Sequence, residues 1–523
     1  MTVLQVNHLN KSFADHILLN DLSFSLSEGE RVGLAGVNGC GKTTLLAILA
    51  GQITPDSGDI QLARNVSVGL LSQLPDPGED LGKLQVKEAM GEKLELAWQL
   101  NPDGFDQRTL DQAGTLSGGE RTRLALGRFL ANPPDIMLLD EPTNNLDLDG
   151  IQTVISLLQM SPGSMIIVSH DRYLLDKVVT RILEIDSGRI VSYSGNYSFY
   201  RDEKQRIHQA QLSNFFEGKK QQRRLQHEIQ QKRQWSDKAH RDSTKMDASG
   251  NKMGLKEYKR VKAGKLAKKA KNDIRRLERL QTETGEKPKD EIKPVFSFTG
   301  QERHGKRILE ATDLRKAYGT NQLFTDSNFY LLRGEKAALF GPNGCGKTTL
   351  ISMIQGSENA DGGKLIVSPG STPIVMSQQL DNLPDRCTLL EYLVSLSGKL
   401  DGRDRATLAQ LGFSPRQLQQ PADRISPGER VRLRIAELVL SRRDFLILDE
   451  PTNYLDLHAR EQLEDALAAV DATLLLVSHD IYLLKRICNK VLVFENGRIM
   501  RREASFAEYM DHLDLSVRIR SRF

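Results

Sequence analysis

Short apolar runs with no polar face recur at matched places along the chain. Ile136–Leu139 and Phe445–Leu448 are apolar throughout, and each is followed by two acidic residues. Such runs suit central strands of a parallel sheet covered on both faces. Met165–Val168 and Leu474–Val477 repeat the pattern, each leading within two residues to a histidine. Val32–Leu34 and Ala337–Phe340 run into glycine-rich turns, and Leu45–Leu49 and Leu350–Ile354 follow as apolar helices. Strand, glycine turn and helix in that order predict the start of an α/β domain, and the order occurs twice.

The recurrence is a duplication. Phe13 to Thr44 returns as Tyr318 to Thr349 at an offset of 305, and Ser169–Asp171 returns as Ser478–Asp480 at 309. Intervals inside each half agree as well: Lys42 to Gln73 and Lys347 to Gln378 are both 31 residues, Asp140 to His170 and Asp449 to His479 both 30. Spacing duplicated over hundreds of residues marks two copies of one domain. The expected layout is a first domain over 1–203, a joining tract over 204–293 and a second domain over 294–523.

The joining tract has a different pattern. From Tyr197 to His240 it contains no proline and one glycine, Gly218, and it is rich in Gln, Lys and Arg, all good helix formers. About forty residues of helix reach roughly 60 Å. A turn-rich segment, Asp247–Gly254, precedes a second helix over Leu255–Leu280. Leu266, Ala270, Ile274 and Leu277 fall on one face of that helix, able to pack against the first. The expectation is a long α-helical hairpin linker with its tip near 243–258.

Charge separates the tract from the rest. It holds 26 Lys+Arg against 12 Asp+Glu, a net of +14, in a chain of net +4, so the remainder sums to −10. A row of cations along helices suits phosphate backbones, which position a protein without being read for sequence. The same row also fits a solvated coiled coil that only joins two domains.

Other features exclude classes. The first residues lack the basic-then-apolar pattern of a signal peptide, and no apolar run approaches the roughly 18 residues of a membrane span. The four cysteines show no CxxC spacing, so no zinc site or disulfide framework is indicated. The expected compartment is cytoplasmic, with no membrane partner on this chain.

Gly36-Val37-Asn38-Gly39-Cys40-Gly41-Lys42-Thr43 and Gly341-Pro342-Asn343-Gly344-Cys345-Gly346-Lys347-Thr348, each followed by threonine (Thr44, Thr349), fit the phosphate-loop pattern. Such glycines let backbone N–H groups surround a phosphate, aided by the following helix N-terminus. Lys42 and Lys347 are expected to reach the β- and γ-phosphates, and Thr43 and Thr348 to ligate Mg²⁺. Asp140 and Asp449 end their strands where a contact to that ion is needed. Glu141 and Glu450 follow, placed to polarise an attacking water as general bases.

With these motifs in hand, the chain resembles ATP-binding-cassette proteins. Leu116-Ser117-Gly-Gly119-Glu120 resembles their signature, Gln73 and Gln378 fall at the glutamine loop, Asp147 and Asp456 at the D-loop, and His170 and His479 at the switch histidine. Phe13 and Tyr318 look like the aromatic that stacks on adenine. The resemblance implies ATP with Mg²⁺, the ion contacted by Thr43, Gln73 and Asp140 in one half and by Thr348, Gln378 and Asp449 in the other. It also implies a monomer whose cassettes pair head to tail, Lys42 facing Ser426 and Gly428, Lys347 facing Ser117 and Gly119. The second signature, Ile425-Ser-Pro-Gly-Glu429, departs from the pattern at Pro427, which leaves open whether the two sites are equal.

Two cassettes on one chain, the loops Glu141-Pro-Thr-Asn144 and Glu450-Pro-Thr-Asn453, and Ser194–Ser198 closing the first half resemble the ABC-F proteins. That family acts on ribosomes, its interdomain linker touching P-site tRNA. The resemblance implies an ATPase bound to rRNA and P-site tRNA through 204–293 and released on hydrolysis. Only 44 residues separate Gln73 from Ser117, which leaves no room for an inserted helical arm, and no C-terminal coiled coil is expected after the second cassette. This layout resembles the antibiotic-resistance (ribosomal protection) subgroup; a housekeeping translation factor, a transporter ATPase subunit and a DNA-bound repair ATPase are the alternatives. At the tip, Met246, Met253, Leu255 and Tyr258 are candidates to approach a drug site or tRNA acceptor end.

Overall fold

The computed structural model describes residues 1–13, 16–72, 125–127, 129–130, 133–144, 146–244, 253–284, 306–376, 387–411, 413–422, 425, 427–440, 443–453 and 455–512. The chain divides into one unit of Met1–Ser198 with Ile292–Phe523 and another of Phe199–Glu291.

In the first half, Arg31–Gly36 lies at the centre of a six-stranded sheet. Its neighbours are Ser164–Val168 and Arg181–Asp186, with Ile136–Asp140 and Val68–Leu71 beyond on one side and Arg189–Ser194 at the other edge. All pairings in this sheet are parallel except that of the last two strands of the half, Arg181–Asp186 and Arg189–Ser194. The apolar runs form the interior strands because every residue of Ile136–Asp140 and Ser164–Val168 is buried. A three-stranded antiparallel sheet (Thr2–Phe13, His16–Ser27, Ser57–Leu62) packs its Leu9, Leu19 and Leu22 into the same core.

The second half repeats this plan around Lys336–Phe340, flanked by Thr473–Val477 and Lys490–Glu495. Here the antiparallel strands join the core sheet through one pairing, Asn328 with Met500, giving nine strands in all. Phe445, Leu446, Ile447 and Leu448 are completely buried, and each such side chain contributes roughly 1.5–3 kcal/mol of burial. Leu148 of the first half sits in the core cluster otherwise built from the second, so the two halves share apolar contact.

The other unit is built on helices Tyr197–Thr244 and Met253–Thr284. Both run a few residues beyond the expected limits, with no proline to stop them. They are antiparallel: Gln222 Nε2 donates to Leu280 O at 3.1 Å and Lys232 Nζ to Asp273 Oδ2 at 2.7 Å. Leu225, Ile229 and Ala270 are buried between them, while Ile274 and Leu277 are half-buried. Leu266 and the tip residues Met246, Met253, Leu255 and Tyr258 have side chains outside the described set. No helix among the described residues is long and apolar enough to cross a membrane.

Candidate active sites

Each phosphate loop leaves a central strand and turns into a helix, Lys42–Leu49 or Lys347–Gln355, through a left-handed glycine: Gly41 at φ 101° and Gly346 at φ 105°. A β-carbon at Gly41 would stand 2.8 Å from Leu18 Cγ, so glycine is required there by backbone and by space. At Gly39 and Gly344 a β-carbon would meet nothing within 4 Å: the loops open outward at those points. Lys42 Nζ donates to Gly36 O at 2.8 Å and Val37 O at 3.2 Å; Lys347 Nζ donates to Gly341 O at 2.7 Å and Pro342 O at 2.9 Å. Cys40 and Cys345 pack beneath the first glycines, where a β-carbon on Gly36 or Gly341 would lie 2.6 or 2.9 Å from the sulfur. Thr43 is hydrogen-bonded to the buried Asp140 carboxyl. Thr44 and Thr349 follow inside the helices.

Glu141 and Glu450 both adopt positive φ, 51° and 50°, a left-handed conformation that a glutamate rarely holds and that marks functional turns. Their N–H groups are held by Val168 O and Val477 O at 2.9 and 2.8 Å. Oε2 of each accepts the N–H of its histidine, His170 or His479, at 3.3 Å. Oε1 of each is buried without a hydrogen-bond partner, although His170 Nε2 stands 3.8 Å and His479 Nε2 3.3 Å away. Burial pushes the Glu141 carboxyl up to about 7 and the Glu450 carboxyl up to about 8. Burial also lowers His170 to about 3 and His479 to about 4, helped by the nearby lysine ammonium in each site. Both imidazoles are therefore neutral at pH 7, and His170 Nε2 is bonded to Asn38 Oδ1 at 3.1 Å. Asp140 and Asp449 are raised by burial too.

The two halves meet head to tail. Asp456 Oδ2 accepts the N–H of Asn38 at 3.1 Å, and Asp147 Oδ2 accepts the N–H of Asn343 at 3.4 Å. Each aspartate also caps the helix that follows it, through Gly150 N and Ala459 N. A cavity of about 510 Å³ opens between the halves, bringing Tyr318, Lys347, Thr348, Asp449, Glu450 and His479 together with Glu141 and Asn144 from the first half.

Phe13 and Tyr318 are half exposed. Lys11 Nζ stands 5.4 Å from the Phe13 ring centre and Lys316 Nζ 5.1 Å from that of Tyr318. Carboxylates hold both lysines: Asp56 for Lys11, Glu358 and Asp361 for Lys316. These lysines escaped notice in the sequence although they share the 305-residue offset. Gly428 lies in helix Pro427–Leu440, of which Pro427 is the first residue, a position where the missing N–H costs the helix no bond. Gln73, Gln378, Ser117, Gly119 and Ser426 lie outside the described residues.

Such paired phosphate loops, buried acids and exchanged aspartates define a tandem ATP-binding-cassette protein. A family described as "ABC transporter" matches residues 19–144 and 324–453. Ribosome protection protein VmlR of Bacillus subtilis is 34% identical over 498 residues, covering 95% of this chain and 87% of that one. Energy-dependent translational throttle protein EttA of Mycobacterium tuberculosis is 31% identical over 542 residues, covering 94% and 91%. The solved structure of RNase-L Inhibitor superposes with a TM-score of 0.67 at 21% identity, covering 98% of this chain and 92% of the other, a likeness of fold. The chain belongs to the ABC-F family of tandem ATP-binding-cassette proteins and is an ATPase.

Proposed function

We propose that the two cassettes close on two ATP molecules and that closure sets the affinity of the basic hairpin for ribosomal RNA and P-site tRNA. The observation carrying this reading is the reciprocal exchange of Asp147 and Asp456 onto the opposite phosphate loops. A group bound at either loop is then felt by both halves.

In each site the ionised glutamate accepts a proton from water as the water oxygen attacks the γ-phosphorus. A P–O bond forms, the bond to the β-phosphate bridging oxygen breaks, and ADP and phosphate leave. A base raised to about 7 or 8 is well matched to that task near neutral pH. The backbone N–H and neutral ring of His170 or His479 orient the carboxylate. Phe13 and Tyr318, each backed by a lysine on one face, offer the other face to adenine.

Mg²⁺ fits the donor set. Thr43 with Asp140, and Thr348 with Asp449, offer hard oxygens. Mg²⁺ commonly takes only one or two carboxylates from a protein and completes its shell with phosphates and water. Bound there, the ion neutralises phosphate charge.

The hairpin's net positive charge and the similarity to VmlR and EttA support a ribosomal target, and the reading is of a cytoplasmic monomer that leaves the ribosome on hydrolysis. Similarity to VmlR over 95% of this chain favours ribosomal protection, the linker tip lying near the peptidyl-transferase centre; similarity to EttA favours a translation factor without a drug. The test is to purify the Glu141→Gln/Glu450→Gln protein with ATP. Enrichment of ribosomes carrying P-site tRNA is the expected result, and no enrichment over the unmutated protein sinks the ribosomal reading. Deleting residues 247–254 then separates the two forms: protection predicts lost antibiotic tolerance, a translation factor unchanged tolerance.

A further inference from the structure

Among the described residues, the interface holds a buried ionic cluster around Arg172 that is not repeated at the duplicated positions. Arg172, two residues after His170, has a side chain with no solvent exposure and reaches into the second cassette. Its Nη2 donates to both oxygens of Asp480 at 2.8 Å and to Glu464 Oε1, and its guanidinium lies 5.1 Å from the ring centre of Tyr482. Asp480 directly follows the other histidine, His479. It is also bonded to Arg460 Nη1 at 3.3 Å and caps the helix Ile481–Ile487 through Tyr482 N and Leu483 N. Glu464 is shared with Arg486 at 3.1 Å.

The duplication shows how one-sided this is. At the 309-residue offset, Arg172 corresponds to Ile481, while Glu464 and Arg460 correspond to Ile155 and Ile151. All three isoleucines are buried. Related parts of the same interface are thus ionic on one side and apolar on the other. Buried charges are costly to separate once paired, because each must then be left without its counter-ion or be rehydrated.

We propose that Arg172 is a positioning residue acting in trans: through Asp480 it holds the second histidine loop, so that the Glu450 site is competent only while the cassettes are paired. The path is short. Asp480 N donates to Ser478 Oγ at 3.0 Å, Ser478 Oγ meets Thr452 Oγ at 3.3 Å in the loop after Glu450, and His479 N holds Glu450 Oε2. At the first histidine loop the repeat-related position of Arg172 is Ile481; the arginine of the second cassette that acts there is Arg460, through its charge on Asp171, His170 and Glu141. The two ATP sites therefore depend on contact between the cassettes through different arginines.

The proposal rests on Glu141 and Glu450 being the bases of their own sites. Single-turnover hydrolysis is measured in the full chain for Arg172→Met and Arg172→Lys, each placed in Glu141→Gln, which leaves the Glu450 site, and in Glu450→Gln, which leaves the Glu141 site. Losing a charged hydrogen-bond donor from a buried pair is expected to slow the Glu450 site about tenfold or more, with a much smaller loss at the Glu141 site. KM for ATP stays within about twofold, and lysine restores part of the rate. Arg172→Met/Glu464→Gln is run in parallel, so that a carboxylate left without its arginine does not unfold the protein. Equal losses at both sites, or none, overturn the proposal. Turnover surviving in Glu141→Gln/Glu450→Gln instead overturns the base assignment, and the proposal with it.

Discussion

Asn38 and Asp456 are 418 residues apart, yet the N–H of Asn38 donates to Asp456 Oδ2 at 3.1 Å. The other oxygen of the same carboxylate accepts Ala459 N at 2.8 Å and caps a helix of the second cassette. One side chain thus ties a helix start to a phosphate loop in the other half. The helix is rigid, so a shift at the loop is passed to the helix that Asp456 starts.

Asp456→Ala removes both bonds. Denaturant unfolding should show a loss of about 1 kcal/mol from the missing cap, and hydrolysis at the Lys42 site should fall more than at the Lys347 site. Asparagine also caps well, so Asp456→Asn should recover the stability but, lacking the charge, not the full rate.

The pH dependence of the two sites should differ. A base must be ionised to accept a proton, so each rate falls as pH drops through the raised value. With Glu450→Gln the remaining Glu141 site should lose half its rate near pH 7; with Glu141→Gln the remaining Glu450 site should do so near pH 8. A pH–rate profile of single-turnover kcat in the two variants checks this. Coincident profiles near pH 4.5 would mean that burial does not govern these carboxyls.

The same burial makes the glutamates a stability cost. In the unfolded chain a carboxyl releases its proton near pH 4.5, whereas the folded protein keeps it until about 7 at Glu141 and about 8 at Glu450. Between those values the folded state binds more protons, so stability falls as pH rises. Glu141→Gln and Glu450→Gln should each raise stability by on the order of 3–5 kcal/mol above pH 8, with the gain fading below pH 4.5. Thermal unfolding at pH 5 and pH 8.5 measures the difference.

Gly41→Ala should damage the first loop alone. The substitution adds strain at φ 101° and a contact 2.8 Å from Leu18 Cγ, costing roughly 1–3 kcal/mol. ATP affinity at the Lys42 site should drop at least tenfold, while the Lys347 site retains its own, as read by nucleotide titration of each site.

Ala270→Glu puts a carboxylate where Ala270 is buried against the first long helix. Hairpin stability should fall by several kcal/mol, visible as lost helical circular dichroism at a lower temperature. Hydrolysis by the cassettes should persist, while ribosome co-sedimentation declines.

Much of this was legible in the chain itself. Apolar runs such as Phe445–Leu448 are interior strands because nothing polar in them needs water. The long helices follow from good helix formers with no proline. The phosphate loops are readable because Gly41 and Gly346 are tolerated there for local, steric reasons. Local chemistry of this kind repeats with the duplication, and the constant offset exposes it.

Sequence alone therefore determined the two cassettes, their phosphate loops and acid-ended strands, and the basic helical tract between them, since each depends on residues close together in the chain. Tertiary structure decided what depends on distant residues meeting. The positive φ of Glu141 and Glu450, their burial and the neutral histidines beside them arise from strands packed on both sides. The bond from Asn38 to Asp456 and the one-sided cluster around Arg172 exist only because the halves face each other. No periodicity signals them: Arg172 pairs in the repeat with Ile481, and its charge acquires meaning only beside Asp480 and Glu464, out of reach of water.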